Sequence, residues 1–294
     1  MKKKLLITGA SGFLGYHLMR LAGNEWEVYG ISHTNDFDFK NAVAVKCDIT
    51  NYIELGNYFD DIEPDAVIHA AAISDANYCQ QHRDESYVLN VEATKNLAGI
   101  CSDYHIPFAF TSSDLVFDGT EGMYREEDAK NPVSAYGEQK SIGEEEVLRI
   151  YPLATVFRLP LMFGYPSAST GNYIQKFLSQ IKSGEPVPLF NDEYRSMCGA
   201  KSISEGILQL FENNSGIIHL AGRERLSRYD FGRKAMQAFQ LASDKVKSCS
   251  QKDVKMSAPR PADVSLNISK AVHLGYSPLS VDEELNQIAD NHYL

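Results

Sequence analysis

The segment Lys4-Leu5-Leu6-Ile7-Thr8-Gly9-Ala10-Ser11-Gly12-Phe13-Leu14-Gly15 constrains this chain more than any other. A short apolar run ends in three spaced glycines, and a stretch with helical character follows over Phe13–Ala22. That order reads as buried strand, tight turn and helix. Glycine permits the turn and lets backbone approach a ligand closely. The helix start adds free amides and the positive end of a dipole. A pyrophosphate suits such a turn, so Gly9, Ser11, Gly12, Phe13, Leu14 and Gly15 are candidate contacts to a dinucleotide.

The pattern then alternates. Strands are expected at Glu27–Ile31, Val43–Lys46, Ala66–His69, Phe108–Ser112 and Thr155–Leu159, with helices at Tyr52–Phe59, about Asp84–Asp103 and Ala135–Ile150. Alternation of this kind predicts an α/β fold, a Rossmann-type doubly wound parallel sheet. Ligands in such sheets bind at the carboxyl ends of the strands. Beyond Pro160 the elements shorten, punctuated by Pro166, Gly171, Pro186, Pro188, Gly216 and Pro259-Arg260-Pro261. The division expected is a dinucleotide-binding domain over 1–164 and a smaller C-terminal substrate-binding region over 165–294, partly intertwined with it.

Charge narrows the function. A net charge of −11, from 28 basic and 39 acidic residues, speaks against a nucleic-acid partner. Anionic ligands must then be held by backbone amides and a few arginines. The apolar run after Lys2-Lys3-Lys4 stops at Thr8-Gly9, too short for a signal peptide, and no segment reaches the length of a membrane span. Five cysteines, an odd number without a CxxC pair, indicate a reducing compartment and neither a disulfide nor a metal site. The expected location is the cytoplasm.

The predicted strand ends carry the remaining candidates. The second closes on Gly30-Ile31-Ser32-His33-Thr34, with no acid before Asp36. An acid there would bind the ribose 2′-OH of NAD; Ser32 and His33 can instead donate to a 2′-phosphate, so NADP(H) is expected over NAD(H). Asp48 and Ile49 follow the third strand, where Asp48 can accept from an adenine amino group or cap the helix before Tyr52. Ala70, Ala71 and Ala72 follow His69 and leave room for a cofactor against the backbone. Ser112 and Ser113 end the fifth strand, where a hydroxyl can bond a substrate carbonyl. Tyr136 and Lys140 share one helix face. A free phenol has a pKa of about 10, and a neighbouring ammonium lowers it and can also hold the nicotinamide ribose.

With these residues assembled, the chain resembles the extended short-chain dehydrogenase/reductases, and within them the dTDP-4-dehydrorhamnose reductase family of sugar-nucleotide reductases. Further support lies in Leu89-Asn90-Val91-Glu92-Ala93-Thr94, Ser112-Ser113-Asp114-Leu115-Val116-Phe117-Asp118-Gly119, Tyr124-Arg125-Glu126-Glu127-Asp128 and Arg260-Pro261-Ala262-Asp263. The resemblance implies that Ser113, Tyr136 and Lys140 are catalytic, with Tyr136 as proton donor. It implies that Asn90 and Leu159, in Arg158-Leu159-Pro160, serve the cofactor. It places Ser74, Asp114, Asn172, Arg195 and Arg260 at a nucleotide-sugar substrate, and it implies hydride transfer to a 4-keto nucleotide sugar. The related 4,6-dehydratases carry Asp-Glu where this chain has Asp114-Leu115, which argues against dehydration. Arg195-Ser196-Met197-Cys198-Gly199-Ala200 lacks the family's usual proline, and Asn267 stands for a usual Asp. Two alternatives stay open: a nucleotide-sugar 4-epimerase with tightly bound NAD, and a catalytically silent NADP-binding regulatory subunit like that of methionine adenosyltransferase, which is similar to the same family. A homodimer is expected from base rates.

Overall fold

The computed structural model of the chain describes residues 2–33, 39, 42–165 and 173–290. Asn172 and Thr34 lie outside the described residues. Strand β1 (Lys4–Thr8) runs into the glycine turn and α1 (Phe13–Ala22) leaves it. β2 (Glu27–Ser32), β3 (Ala42–Lys46), α2 (Tyr52–Ile62) and β4 (Ala66–His69) follow. Next come α3 (Ala76–Gln81), α4 (Arg83–Tyr87), a π-helical turn at Val88–Glu92, α5 (Ala93–Tyr104), β5 (Phe108–Ser113), α6 (Ala135–Ile150) and β6 (Thr155–Leu159). The strand order among the described residues places β3, β2, β1, β4, β5 and β6 side by side, all parallel. β1 lies in the middle, which is why Leu5, Leu6 and Ile7 are fully buried.

The later chain is shorter-stepped: β7 (Met162–Phe163), α7 (Tyr173–Lys182), β8 (Val187–Phe190), β9 (Tyr194–Arg195), β10 (Cys198–Gly199), α8 (Ala200–Leu210) and β11 (Gly216–His219). β12 (Leu226–Ser227), α9 (Arg228–Ala238), β13 (Val246–Cys249), α10 (Ser269–His273) and α11 (Val281–Asp290) complete it. β11 adds a seventh parallel strand beside β6. Ile203, Ile207 and Leu210 of α8 pack with Leu14, Leu18 and Met19 of α1 on one sheet face. Leu55, Phe59, Leu97 and Val147 cover the other. A separate core gathers Phe177, Leu178, Leu189, Phe231 and Leu285 from α7, β8, α9 and α11.

Two local expectations are corrected. The helix expected from about Asp84 to Asp103 is interrupted, because the π-turn accommodates an extra residue and carries the fully buried Asn90. The cap of α2 is Asn51, whose Oδ1 accepts from the Glu54 amide at 3.3 Å. Asn51 immediately precedes the first helical residue, whereas Asp48 folds back onto Thr50.

Helix α6 meets the end of β5 at a glycine. A Cβ on Gly137 would stand 2.1 Å from the Leu115 carbonyl oxygen, a backbone atom with little freedom to retreat. Gly137→Ala is expected to cost about 1–3 kcal/mol, read as a lower Tm in a thermal melt; an unchanged Tm would show that this contact does not set the helix position.

Candidate active site

Strand order reverses between β1 and β4, and the crevice this opens lies at the strands' carboxyl ends. Two adjoining cavities occupy it, of about 550 Å³ and about 370 Å³. They share Gly9, Gly12, Ala70 and Ala72, so they form the two ends of one groove.

The floor between them is backbone. Gly9 has φ +70°, and a Cβ there would meet the Ala71 backbone at 2.7 Å. One on Gly15 would stand 2.2 Å from the Gly9 carbonyl oxygen. Helix α1 begins at Gly12 with no side-chain cap, so its first turn carries unsatisfied amides and a partial positive charge. Phe13, Leu14 and Gly15 of that turn border the smaller cavity. A close-fitting, positively polarised backbone cradle suits a dinucleotide's pyrophosphate.

Ser11, Ser32, His33, Asp48, Ile49 and Ala71 border the larger cavity. Asp48 Oδ1 accepts from the Thr50 amide and hydroxyl, and its Oδ2 lies 3.9 Å from His33 Nε2. The Thr50 hydroxyl bond is the main reason the Asp48 carboxyl is held below its ordinary range. Behind the groove a polar chain fixes the strand ends. The Thr94 hydroxyl donates to the Asn90 carbonyl, so it accepts from His69 Nε2–H at 2.9 Å. His69 Nδ1 then accepts from Thr8 Oγ1 at 2.7 Å, and Thr8 Oγ1 accepts from the Ala71 amide. Burial, aided by Lys140, brings the His69 pKa down to about 3, so this imidazole is neutral.

The smaller cavity brings together Ser74, Ser112, Ser113, Asp114, Tyr136, Lys140, Leu159 and Arg195. Ser113 ends β5 and Tyr136 stands in the first turn of α6, and both border this cavity. Ser113 Oγ also donates to Asp114 Oδ1 at 3.2 Å and accepts from the Leu115 amide. Lys140 Nζ donates to the Thr111 carbonyl at 2.8 Å and lies 4.6 Å from the centre of the Phe110 ring. Burial pushes Lys140 down to about 7, against an opposing pull from Glu144. The expected lowering of the Tyr136 pKa is not found. Burial raises it, with Cys79 and Asp114 adding to the rise, and the neighbouring Ser113 and Arg195 only partly offset them.

Three further placements differ from expectation. Asn90 borders neither cavity: its amide is spent on the Ile73 amide, the Ile73 carbonyl and Gln139, so it supports the groove wall from behind. Arg260 borders neither cavity and is half-buried, close enough to Glu193, Arg195 and Arg228 to feel their charges. Arg195 reaches the cavity with its fork already engaged. Its Nη1 donates to both Asp114 oxygens at 2.8 and 2.9 Å, and its Nε to Glu193 at 3.2 Å. Burial pushes the Asp114 carboxyl up, and Arg195 takes back part of that. Glu193, buried and shared with Arg228, has no signal in the sequence, whereas Glu144 could have been found four residues beyond Lys140 on the same helix face.

The RmlD substrate binding domain family model matches residues 3–293. The probable low-salt glycan biosynthesis reductase Agl14 of Haloferax volcanii is 30% identical over 285 residues, covering 95% of each chain. Methionine adenosyltransferase 2 subunit beta of Xenopus laevis is 29% identical over 282 residues, 93% of this chain and 83% of that one. The crystal structure of dTDP-4-dehydrorhamnose reductase from Bacillus anthracis, in complex with NADP, agrees in fold with a TM-score of 0.88. The agreement spans 99% of this chain and 100% of that one at 24% identity.

Two buried charges give separable tests. Lys140 titrates near 7 in the fold and near its ordinary value when unfolded, so between these the unfolded chain binds more protons. Stability from this group therefore rises with pH above 7, with a slope of up to about 1.4 kcal/mol per pH unit. Urea unfolding of the cofactor-free protein across that window should show a rise in wild type that Lys140→Met lacks; equal slopes would contradict the assignment. Asp114→Asn leaves a buried guanidinium without its carboxylate and should cost about 3–5 kcal/mol. Adding Arg195→Met should recover part of that loss, whereas strict additivity in a double-mutant cycle would show the pair to be uncoupled.

Proposed function

The chain belongs to the RmlD substrate binding domain family, among the extended short-chain dehydrogenase/reductases, and from that membership we propose that it reduces a 4-keto nucleotide sugar with a nicotinamide dinucleotide, as dTDP-4-dehydrorhamnose reductases do. The observation that carries the reading is one continuous groove. Its backbone cradle suits a pyrophosphate, and its far end gathers Ser113, Tyr136 and Lys140. With no carboxylate among the described residues at the carboxyl end of β2, and with Ser32 and His33 at the groove's outer end, NADP(H) is the dinucleotide expected over NAD(H).

When bound, the dinucleotide supplies a hydride to the carbonyl carbon. Ser113 orients the carbonyl oxygen by hydrogen bonding. Tyr136 delivers the proton to that oxygen as the hydroxyl forms. The raised phenol pKa keeps Tyr136 protonated and so able to donate. Lys140 contributes a cation beneath the tyrosine, anchored on the Thr111 carbonyl and placed to meet a ribose hydroxyl. Asp114 and Arg195 form a charged wall around the sugar end.

A second reading, a catalytically silent dinucleotide-binding subunit, is favoured by the match to methionine adenosyltransferase 2 subunit beta. Loss of NADPH absorbance over a panel of 4-keto nucleotide sugars, with NADH in parallel, separates the two. Reduction of one sugar, lowered ~10²–10⁴-fold by Tyr136→Phe with NADPH still bound, is the result expected of a reductase. Undiminished turnover in Tyr136→Phe would remove the tyrosine from the mechanism. Tight NADPH binding with no turnover, together with stoichiometric capture of an adenosyltransferase, would favour the subunit.

A further inference from the structure

Helix α6 presents three polar side chains at four-residue intervals to the sheet: Tyr136, Lys140 and Glu144. The chemistry above uses two of them. Glu144 is 1% exposed, yet it is a carboxylate with four groups around it. Its oxygens accept from Arg158 Nε at 2.9 Å, Arg158 Nη2 at 2.8 Å and Ser112 Oγ at 2.5 Å. Lys130 Nζ lies 3.4 Å from Oε2 and is shared with Glu145 and the Ser141 carbonyl.

The placement of these partners is the informative part. Ser112 and Arg158 are direct neighbours across β5 and β6, one residue before Ser113 and Leu159, which both border the cavity. One carboxylate thus pins α6 to two strands at the level of the reacting groups. Arg158 is itself fixed from behind. Its Nη1 donates to the Glu126 carbonyl at 3.3 Å and lies 3.3 Å from His219 Nε2, and its guanidinium stacks on Phe117. His219 is neutral, its pKa brought down to about 3 by burial and by Arg158.

Stability alone does not account for this pair. Burying two ions costs several kcal/mol each, and an apolar pair of similar volume usually serves a core as well or better. Glu144 also acts on Lys140, one helical turn away. Around Lys140 stand the Thr111 carbonyl, the Phe110 ring, the neutral His69 and the Cys79 thiol. Among these surroundings Glu144 is the leading influence in favour of the charged form.

We propose that Glu144 is a positioning residue for the reduction set out above: clamped by Arg158 and Ser112, it fixes α6 against the ends of β5 and β6 and supplies the buried negative charge that keeps Lys140 an ammonium beneath Tyr136. The inference rests on the reading of Tyr136 and Lys140 as the reacting pair. Burial lowers Lys140 to about 7 even with Glu144 in place, so losing that charge shifts it further towards the neutral amine.

The test is the pH dependence of the NADPH dissociation constant, followed by nicotinamide fluorescence, and of kcat where a sugar turns over. In wild type, binding weakens as pH rises through the titration of Lys140. Glu144→Gln should move that limb to lower pH by about one unit or more, with kcat falling more than KM changes. Glu144→Asp should return the limb towards wild type. A limb that stays in place while Tm drops would make Glu144 a structural residue only and overturn the proposal. Should Glu144→Gln fail to fold, Lys130→Met removes a partly exposed cation beside the carboxylate and should move the limb upward; no movement, or movement downward, overturns the proposal. Because the NADPH titration needs no sugar, failure to reduce any nucleotide sugar would defeat the functional reading and still leave Glu144 tested.

Discussion

Reversal of strand order between β1 and β4 is the constraint on which the rest of the molecule depends. Connections leaving β1 and β4 depart in opposite directions, so neither covers the space between them. A ligand entering that space meets backbone first. The turn at Gly9 must therefore close against Ala71 without a side chain, and α1 must begin close enough to Gly9 that Gly15 cannot carry one. The alanines after β4 serve the same close approach from the opposite wall. Once this crevice exists, β5 is the strand whose end looks into it beside β4, and α6 is the helix that packs over that end.

Ser113, Tyr136 and Lys140 sit in a buried region whose carboxylates are paired with cations. Asp114 is matched by Arg195, Glu193 by Arg195 and Arg228, and Glu144 by Arg158 and Lys130. Among the described residues no buried side-chain nitrogen or oxygen lacks a hydrogen-bond partner. Arrangements of this kind hold side chains in one geometry, since moving any member exposes another to desolvation without compensation. They also divide the tuning. Tyr136 is kept protonated by burial and by nearby acid, while Lys140 is kept near the edge of ionisation by burial and drawn back by Glu144. Burial thus moves the two groups in opposite senses, Tyr136 up and Lys140 down, while nearby acids push both upward.

What could be read from the sequence follows from how local each signal is. α1 and α6, with the strands between them, rest on periodicity and on residues a few positions apart, so Phe13–Ala22 and Ala135–Ile150 are found where the pattern places them. The same locality brings Tyr136 and Lys140 to the cavity. Pairings across the chain are another matter. Arg195 meets Asp114 from 81 residues away, and nothing in the string around either names the other. Read alone, Arg195 is a free anion receptor; folded, it is half of an ion pair. Asn90 misleads for a related reason, because the π-turn that buries it shifts by one residue a periodicity that otherwise runs unbroken from Asp84. The phenol pKa departs from expectation because spacing reveals the lysine one turn away but not the burial that raises the phenol.

The two ends of the groove place different demands on sequence. At the end proposed for the dinucleotide the walls are glycines, alanines and a helix start, so what must be retained is backbone shape. At the end proposed for the sugar the wall is made of side chains, among them Asp114, Leu161, Met162 and Arg195, drawn from both the sheet and the later elements. Few residue types satisfy the first kind of constraint. The second kind is set by pairs such as Asp114 and Arg195, where a change on one side requires a matching change far away in the chain. Substrate choice within this family should therefore vary through linked substitutions at the sugar end while the dinucleotide cradle stays nearly constant.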